Sequence, residues 1–207
     1  GSITITADDT PVLLTFDGAL TDGNFTGTQN SDDQDLVNFD IAVVALDSFY
    51  QLSALDLGAD GLGSRSVTRT LSLNNGTNSQ TSTLTTKDGA VTLTLSGDVI
   101  TATDTASETV FTLTIDDANN ELTLQQFKAL TNPTAEPYSG SFISDPVSLA
   151  NDLIDLNIEV TDTDADGDTT TSTEIIDLGG NLTFEDDGPG SITITADDTP
   201  VLLTFDG

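Results

Sequence analysis

The densest coordination chemistry in the chain lies in seven residues, Asp162 to Asp168, which read DTDADGD. Acids stand at positions 1, 3, 5 and 7 of this run, with Gly167 at position 6. Alternate carboxylates can converge on one hard cation, and a glycine permits the sharp turn that wraps it. Calcium leads among such ions, because it accepts many oxygen ligands in loose geometry. An EF-hand fits poorly, since it needs a bidentate Glu at position 12 between helices. Here position 12 is Thr173, Glu174 follows one later, and the flanks look like strands. The spacing therefore predicts a calcium loop between strands, with Asp162, Asp164, Asp166 and Asp168 as ligands; the plainer alternative is a solvated acidic turn.

A second cluster reads Glu185, Asp186, Asp187, then Gly188-Pro189. Three adjacent carboxylates repel one another unless a cation gathers them. Asp197 and Asp198 follow one short strand later, as Asp8 and Asp9 do near the start. The expectation is a junction calcium held by Glu185, Asp186 and Asp187 with help from Asp197 or Asp198. A flexible polar linker is the alternative. Asp22, Asp32, Asp33, Asp35, Asp60, Asp104 and Asp145 are weaker single candidates.

Composition narrows the chemistry. Four Lys and Arg face 35 Asp and Glu, for a net charge of −31. Neither nucleic acid nor an anionic membrane suits such a surface, because both demand cations. Six of the acids are Glu and 29 are Asp, which favours turns and metal loops over acidic helices. With no Cys and no His, Ser-His and Cys-His catalysis are excluded, and zinc and copper sites nearly so, since those metals favour Cys and His. No apolar run approaches the roughly 20 residues of a membrane-spanning helix, and no signal-peptide pattern opens the chain.

Residues 1–18 recur unchanged as residues 190–207, a period of 189. That period is far too long for a solenoid repeat. Residues 1–188 therefore read as one whole repeat, and residues 189–207 as the start of the next. Neighbouring identical repeats are the expected partners, with no obligate oligomer.

The elements that must position these acids are strands. SITIT alternates Ile3 and Ile5 with Ser and Thr; VLLTF sets Val12, Leu14 and Phe16 on one side. Val91-Leu93-Leu95, Phe111-Leu113-Ile115 and Leu156-Ile158-Val160 repeat the pattern. Period-2 alternation with outward Thr predicts half-buried antiparallel strands. FDIAVVAL (Phe39 to Leu46) is apolar throughout apart from Asp40 and reads as a strand covered on both faces. Asn74-Asn75-Gly76, Lys87-Asp88-Gly89, Asp117 to Asn120 and Gly179-Gly180-Asn181 mark turns. Short helices are expected at Thr123 to Leu130 and around Ser148 to Asp152. The fold class is all-β, an antiparallel β-sandwich of Greek-key or immunoglobulin-like kind, with a closed barrel as the lesser alternative.

DTDADGD followed some twenty residues later by FEDDGP, in a long acidic Cys-free repeat, resembles the repeats of giant RTX adhesins. The likeness runs over most of Val91 to Pro189, including VFTLTIDDANNELTLQQFKAL, and is vague before about Asp60. It implies a β-sandwich extender domain, exported by type I secretion to a Gram-negative cell surface. Several calcium ions would stiffen the domain and its junctions, so that a string of repeats carries an adhesive tip outward. By the same resemblance, Asp162, Asp164, Asp166 and Asp168 are loop ligands, and Glu185, Asp186 and Asp187 junction ligands. The glycine-rich nonapeptide array of the toxins is missing here. A calcium-dependent lectin is the alternative function, weakened by the presence of two Tyr and no Trp for stacking on sugars. A carboxylate-pair glycosidase is the remaining enzyme class, and no enzyme activity is expected.

Overall fold

The computed structural model describes residues 2–16, 40–55, 63–131 and 146–185. Their strands are β1 (Ile5–Ala7), β2 (Leu13–Phe16), β3 (Ile41–Ala45), β4 (Tyr50–Leu52), β5 (Ser64–Leu73), β6 (Ser79–Thr86) and β7 (Gly89–Ser96). Then come β8 (Val99–Thr103), β9 (Thr109–Asp116), β10 (Glu121–Gln126), β11 (Val147–Ser148), β12 (Ile154–Thr163), β13 (Thr169–Asp177) and β14 (Leu182–Glu185). Single 3-10 turns at Leu46–Phe49 and Gly179–Asn181 interrupt them. Among the described residues there is no α-helix, and no helix long and apolar enough to cross a membrane.

The protein is an all-β sandwich of mostly antiparallel sheets, as the alternation predicts. Its largest sheet has the order β3-β10-β9-β8-β7-β6. Five consecutive strands, β6 to β10, form a meander, because short turns can join only antiparallel neighbours. Lys87 and Asp88 join β6 to β7, and residues 117–120 join β9 to β10. Asn119 donates from its backbone N–H and its side chain to the Asp116 carboxylate, at 3.0 and 2.7 Å. Smaller sheets, β13-β12-β5, β11-β14-β2 and β1-β4, complete the body. Long crossovers join the non-consecutive neighbours β3–β10, β5–β12 and β2–β14.

One core unites the sheets. Val91, Leu93, Ile100, Phe111, Leu113, Leu122 and Leu124 point inward from the large sheet, fully buried. Leu156, Ile158 and Val160 face them from β12, and Leu182 and Phe184 from β14. Phe111 and Phe184 meet as tilted rings with centroids 5.0 Å apart, a favoured aromatic geometry. Thr15 Oγ1 donates to Gln126 Oε1 at 2.7 Å in the interior, satisfying two buried polar groups together.

Four local expectations are corrected. Residues 121–126 form a strand, not a helix: Leu122, Leu124 and Gln126 alternate inward while β10 pairs with both β9 and β3. Tertiary pairing overrides the helix propensity of LTLQQFKAL. Residues 148–152 are not helical either, since the Leu149 N–H donates to the Leu182 carbonyl at 3.0 Å and Asp152 has a φ of +62°. The apolar run 39–46 yields β3, an edge strand with Val43 57% exposed. In VLLTF the buried residues are Leu13 and Thr15, while Val12 is exposed. The expected turn at Asn74 to Gly76 is present and carries the chain between sheets, from β5 to β6.

Candidate metal centre

The DTDADGD run spans the tip of the β12–β13 hairpin, whose ladder closes at Thr163 opposite Thr169. The turn is built by its own backbone. The Asp164 N–H donates to the Asp168 carbonyl at 3.0 Å, and the Gly167 N–H to the Asp164 carbonyl at 3.3 Å. Gly167 has a φ of +95°, a conformation that side chains disfavour and glycine adopts freely. That single residue lets the chain reverse while three carboxylates stay on one side.

Asp164, Asp166 and Asp168 each place one carboxylate oxygen within 4.8 Å of the others. Oxygens on one calcium ion lie about 2.3–2.6 Å from it, so they stand at most about 5 Å apart. The three carboxylates fit one such ion. Asp164 and Asp166 are crowded together. Asp166 is pushed above the usual carboxyl range by its contact with the Asp164 carboxylate, and Asp164 is pushed below it. The Asp168 N–H also donates to Asp164 Oδ1 at 2.9 Å. Two carboxylates in contact must share a proton or a cation.

Asp162, the first acid of the run, is committed elsewhere. It lies opposite Arg65 in the β12–β5 register. Arg65 Nε and Nη2 donate to its two oxygens at 2.6 and 2.7 Å, and this bidentate clamp lowers its pKa. Arg65 also donates from Nη1 to the Ser53 carbonyl at 2.6 Å. The expected four-residue ligand set is thus three carboxylates beside a salt-bridged fourth, because strand pairing turns Asp162 toward β5.

The expected junction site is described only in part. Glu185 ends β14 beside Phe16 of β2 and is buried. Asp186, Asp187, Asp197 and Asp198 lie outside the described residues, as do Asp22, Asp32, Asp33, Asp35, Asp60 and Asp145. In the first copy of the repeated segment, Asp8 Oδ1 accepts from Thr10 N and Oγ1, at 3.0 and 2.6 Å. The Asp9 backbone carbonyl accepts from Asn181 Nδ2 at 3.0 Å.

A second convergence escapes sequence reading, which singled out Asp104 alone among its members. Asp88, Asp104 and Glu108 bring three carboxylates together, and the Lys128 ammonium lies among them. Its Nζ donates to Asp88 Oδ2 at 2.6 Å, and also to Asp104 Oδ2 and Glu108 Oε2. Lys128 pulls Asp104 down to about 2, helped by N–H donors from residues 106 and 108 and by the Thr86 hydroxyl. The three acids raise Lys128 in turn. This group already holds its cation. The only available signal was rarity: with four cations among 35 acids, each is drawn into contact with carboxylates. Lys87 donates to Asp88 Oδ2 at 2.7 Å, and Arg69 completes the set, donating to Asp117 Oδ1 at 2.8 Å and to the Tyr50 hydroxyl at 2.7 Å.

A family model described as a domain of unknown function (DUF5801) matches residues 4–179. No curated protein and no solved structure matches the chain.

Proposed function

The chain belongs to the DUF5801 family, and since that family's description assigns no role, we propose one from the residues: a calcium-binding structural spacer of a bacterial surface adhesin. The observation that carries this reading is the convergence of Asp164, Asp166 and Asp168 at a strand–strand turn within 4.8 Å of one another. In this reading the chain is an extender repeat of the RTX adhesin kind. It is exported unfolded and works outside the cell by lending length and stiffness, without catalysis.

Charge supplies the mechanism. At −31 the chain repels itself where calcium is scarce, which suits export as a thread. When bound, calcium supplies the positive charge that the Asp164–Asp166 contact otherwise draws from a proton. The β12–β13 turn orients the carboxylates, and Gly167 keeps the loop tight. A partly exposed site with three acids belongs with extracellular calcium modules, whose dissociation constants run about 10⁻⁴ to 10⁻³ M. Binding to the folded state alone would add about 2.7 kcal/mol at a hundredfold ligand excess.

The lectin alternative weakens further. Tyr50 is buried, and Arg69 stands over its ring, 5.6 Å from the centroid. One of the two tyrosines is therefore committed to the body of the protein.

Isothermal titration with calcium tests the reading. Heat of binding in the parent chain, lost or weakened at least about tenfold in Asp166→Ala, is expected because a ligand carboxylate is removed. An identical isotherm in that variant would show the turn is not a site, and no heat in either chain would end the calcium reading.

A further inference from the structure

The turn that carries the chain from β5 to β6 contains a chemically reactive pair. Asn75-Gly76 is the one Asn-Gly step in the sequence, and every other Asn precedes a residue with a side chain. Both residues are exposed. Gly76 has a φ of +69°, a conformation that glycine adopts freely, and a Cβ at that position would meet nothing within 4 Å. Its backbone nitrogen is therefore screened by no side chain of its own. The neighbouring amide is held in place. Asn75 Oδ1 accepts from Thr77 N and Thr77 Oγ1, at 2.9 and 3.0 Å. Asn75 Nδ2 donates to the Ser79 carbonyl at 2.9 Å. The Gly76 N–H itself donates to the Leu73 carbonyl at 3.0 Å.

We propose that Asn75 is a site of self-modification, deamidated by the backbone nitrogen of Gly76 at a rate set by the opening of this turn. Solvent hydroxide takes the Gly76 N–H proton, and the nitrogen bonds to Asn75 Cγ. The Cγ–Nδ2 bond breaks, and ammonia leaves with a proton from water. Water then opens the five-membered imide at either carbonyl, giving aspartate or β-linked isoaspartate at position 75. The two Thr77 donors on Asn75 Oδ1 favour attack, because they stabilise the negative charge that it places on that oxygen. The bond to Leu73 acts the other way. It secures the proton that must leave, so the attack waits until the turn opens. The product carries one more negative charge and lacks the Nδ2 donor to Ser79. The β-linked form also inserts a methylene into the backbone between β5 and β6. Modification therefore loosens the turn that restrained it. The acidic loop and its ion play no part in this chemistry.

The full-length parent and Asn75→Gln, incubated at mildly alkaline pH and followed by peptide mass mapping, test it. In the folded parent, a gain of one mass unit should accumulate at Asn75 ahead of every other Asn, split between aspartate and isoaspartate. Asn75→Gln should stay unmodified at this position, because its amide carbon lies one bond too far for a five-membered ring. In denaturing urea the parent should convert at least about tenfold faster, because the reaction runs through the open turn alone. Across sub-denaturing urea, the conversion rate and the hydrogen-exchange rate of the Gly76 amide should rise together, since both require the Leu73 bond to break. If another Asn converts first in the folded chain, the site is overturned. The same holds if the folded chain shows no conversion at Asn75 while the urea sample converts fully. If folded and urea-denatured chains convert equally fast, or conversion is independent of Gly76 exchange, control by the turn is overturned.

Discussion

Lys128 has three N–H donors and spends each on a different carboxylate, those of Asp88, Asp104 and Glu108. The Asp104 side chain has no exposure at all, so losing the ammonium strands a buried charge. Lys128→Met should therefore destabilise the body far more than Lys87→Met, whose side chain is 80% exposed; thermal melts of the two variants check this. The pH dependence has a definite sign. Asp104 falls from the ordinary 3.8 to about 2 in the folded protein, so its contribution is present above about pH 4 and disappears as the pH falls toward 2. Lys128 is raised, so its contribution holds below its ordinary value of 10.5 and fades as the pH climbs beyond it. A parent-minus-Asp104→Asn stability difference that stays flat from pH 2 to 6 would contradict the acid limb. None of this could be read from the sequence, where Asp88, Asp104, Glu108 and Lys128 are scattered over forty residues. Gly167 and the alternating acids around it could be read, because a turn motif is local. The loss of Asp162 to Arg65 could not, because those residues are 97 apart.

At the scale of elements, alternation identified the strands that matter most to the core: Val91-Leu93, Phe111-Leu113-Ile115 and Leu156-Ile158-Val160 are all buried. It failed where a run was uniformly apolar or had an apolar residue at every other position on both faces. FDIAVVAL has no period to read, and its strand lies at a sheet edge. VLLTF alternates Val12, Leu14 and Phe16 on one face with Leu13 and Thr15 on the other, and pairing with β14 put Leu13 and Thr15 inside. The difference between these strands is measurable. Leu93→Ala, at 0% exposure in β7, should cost about 2–5 kcal/mol in denaturant unfolding. Val43→Ala, at 57% exposure in β3, should stay within about 0.5 kcal/mol. Comparable losses at both positions would mean that β3 is covered after all.

For the whole molecule, the proposed role is mechanical and its test is shape. A chain of two full repeats should scatter X-rays as an extended, stiff particle in millimolar calcium and as a shorter, more flexible one in chelator. A maximum dimension unmoved by chelation would remove calcium stiffening while leaving the all-β body intact. The large excess of acids over cations, 35 to 4, makes some response to divalent ions unavoidable through screening. Asp166→Ala in both repeats therefore serves as the control: screening survives that change, and specific stiffening does not.

The all-β class, the turn at Gly167, the recurrence of residues 1–18 and the exclusion of His- and Cys-based chemistry all belong to the linear chain. Each depends on residue type or on spacings of a few positions, which local sterics and composition fix. The tertiary structure alone decided that Lys128 rather than an ion holds Asp88, Asp104 and Glu108, that Arg65 takes Asp162 from the acidic loop, and that β2 lies in parallel beside β14. Those outcomes depend on which strands become neighbours and in what register. A shift of one residue would reverse every face, and that choice is made by burying the whole core at once.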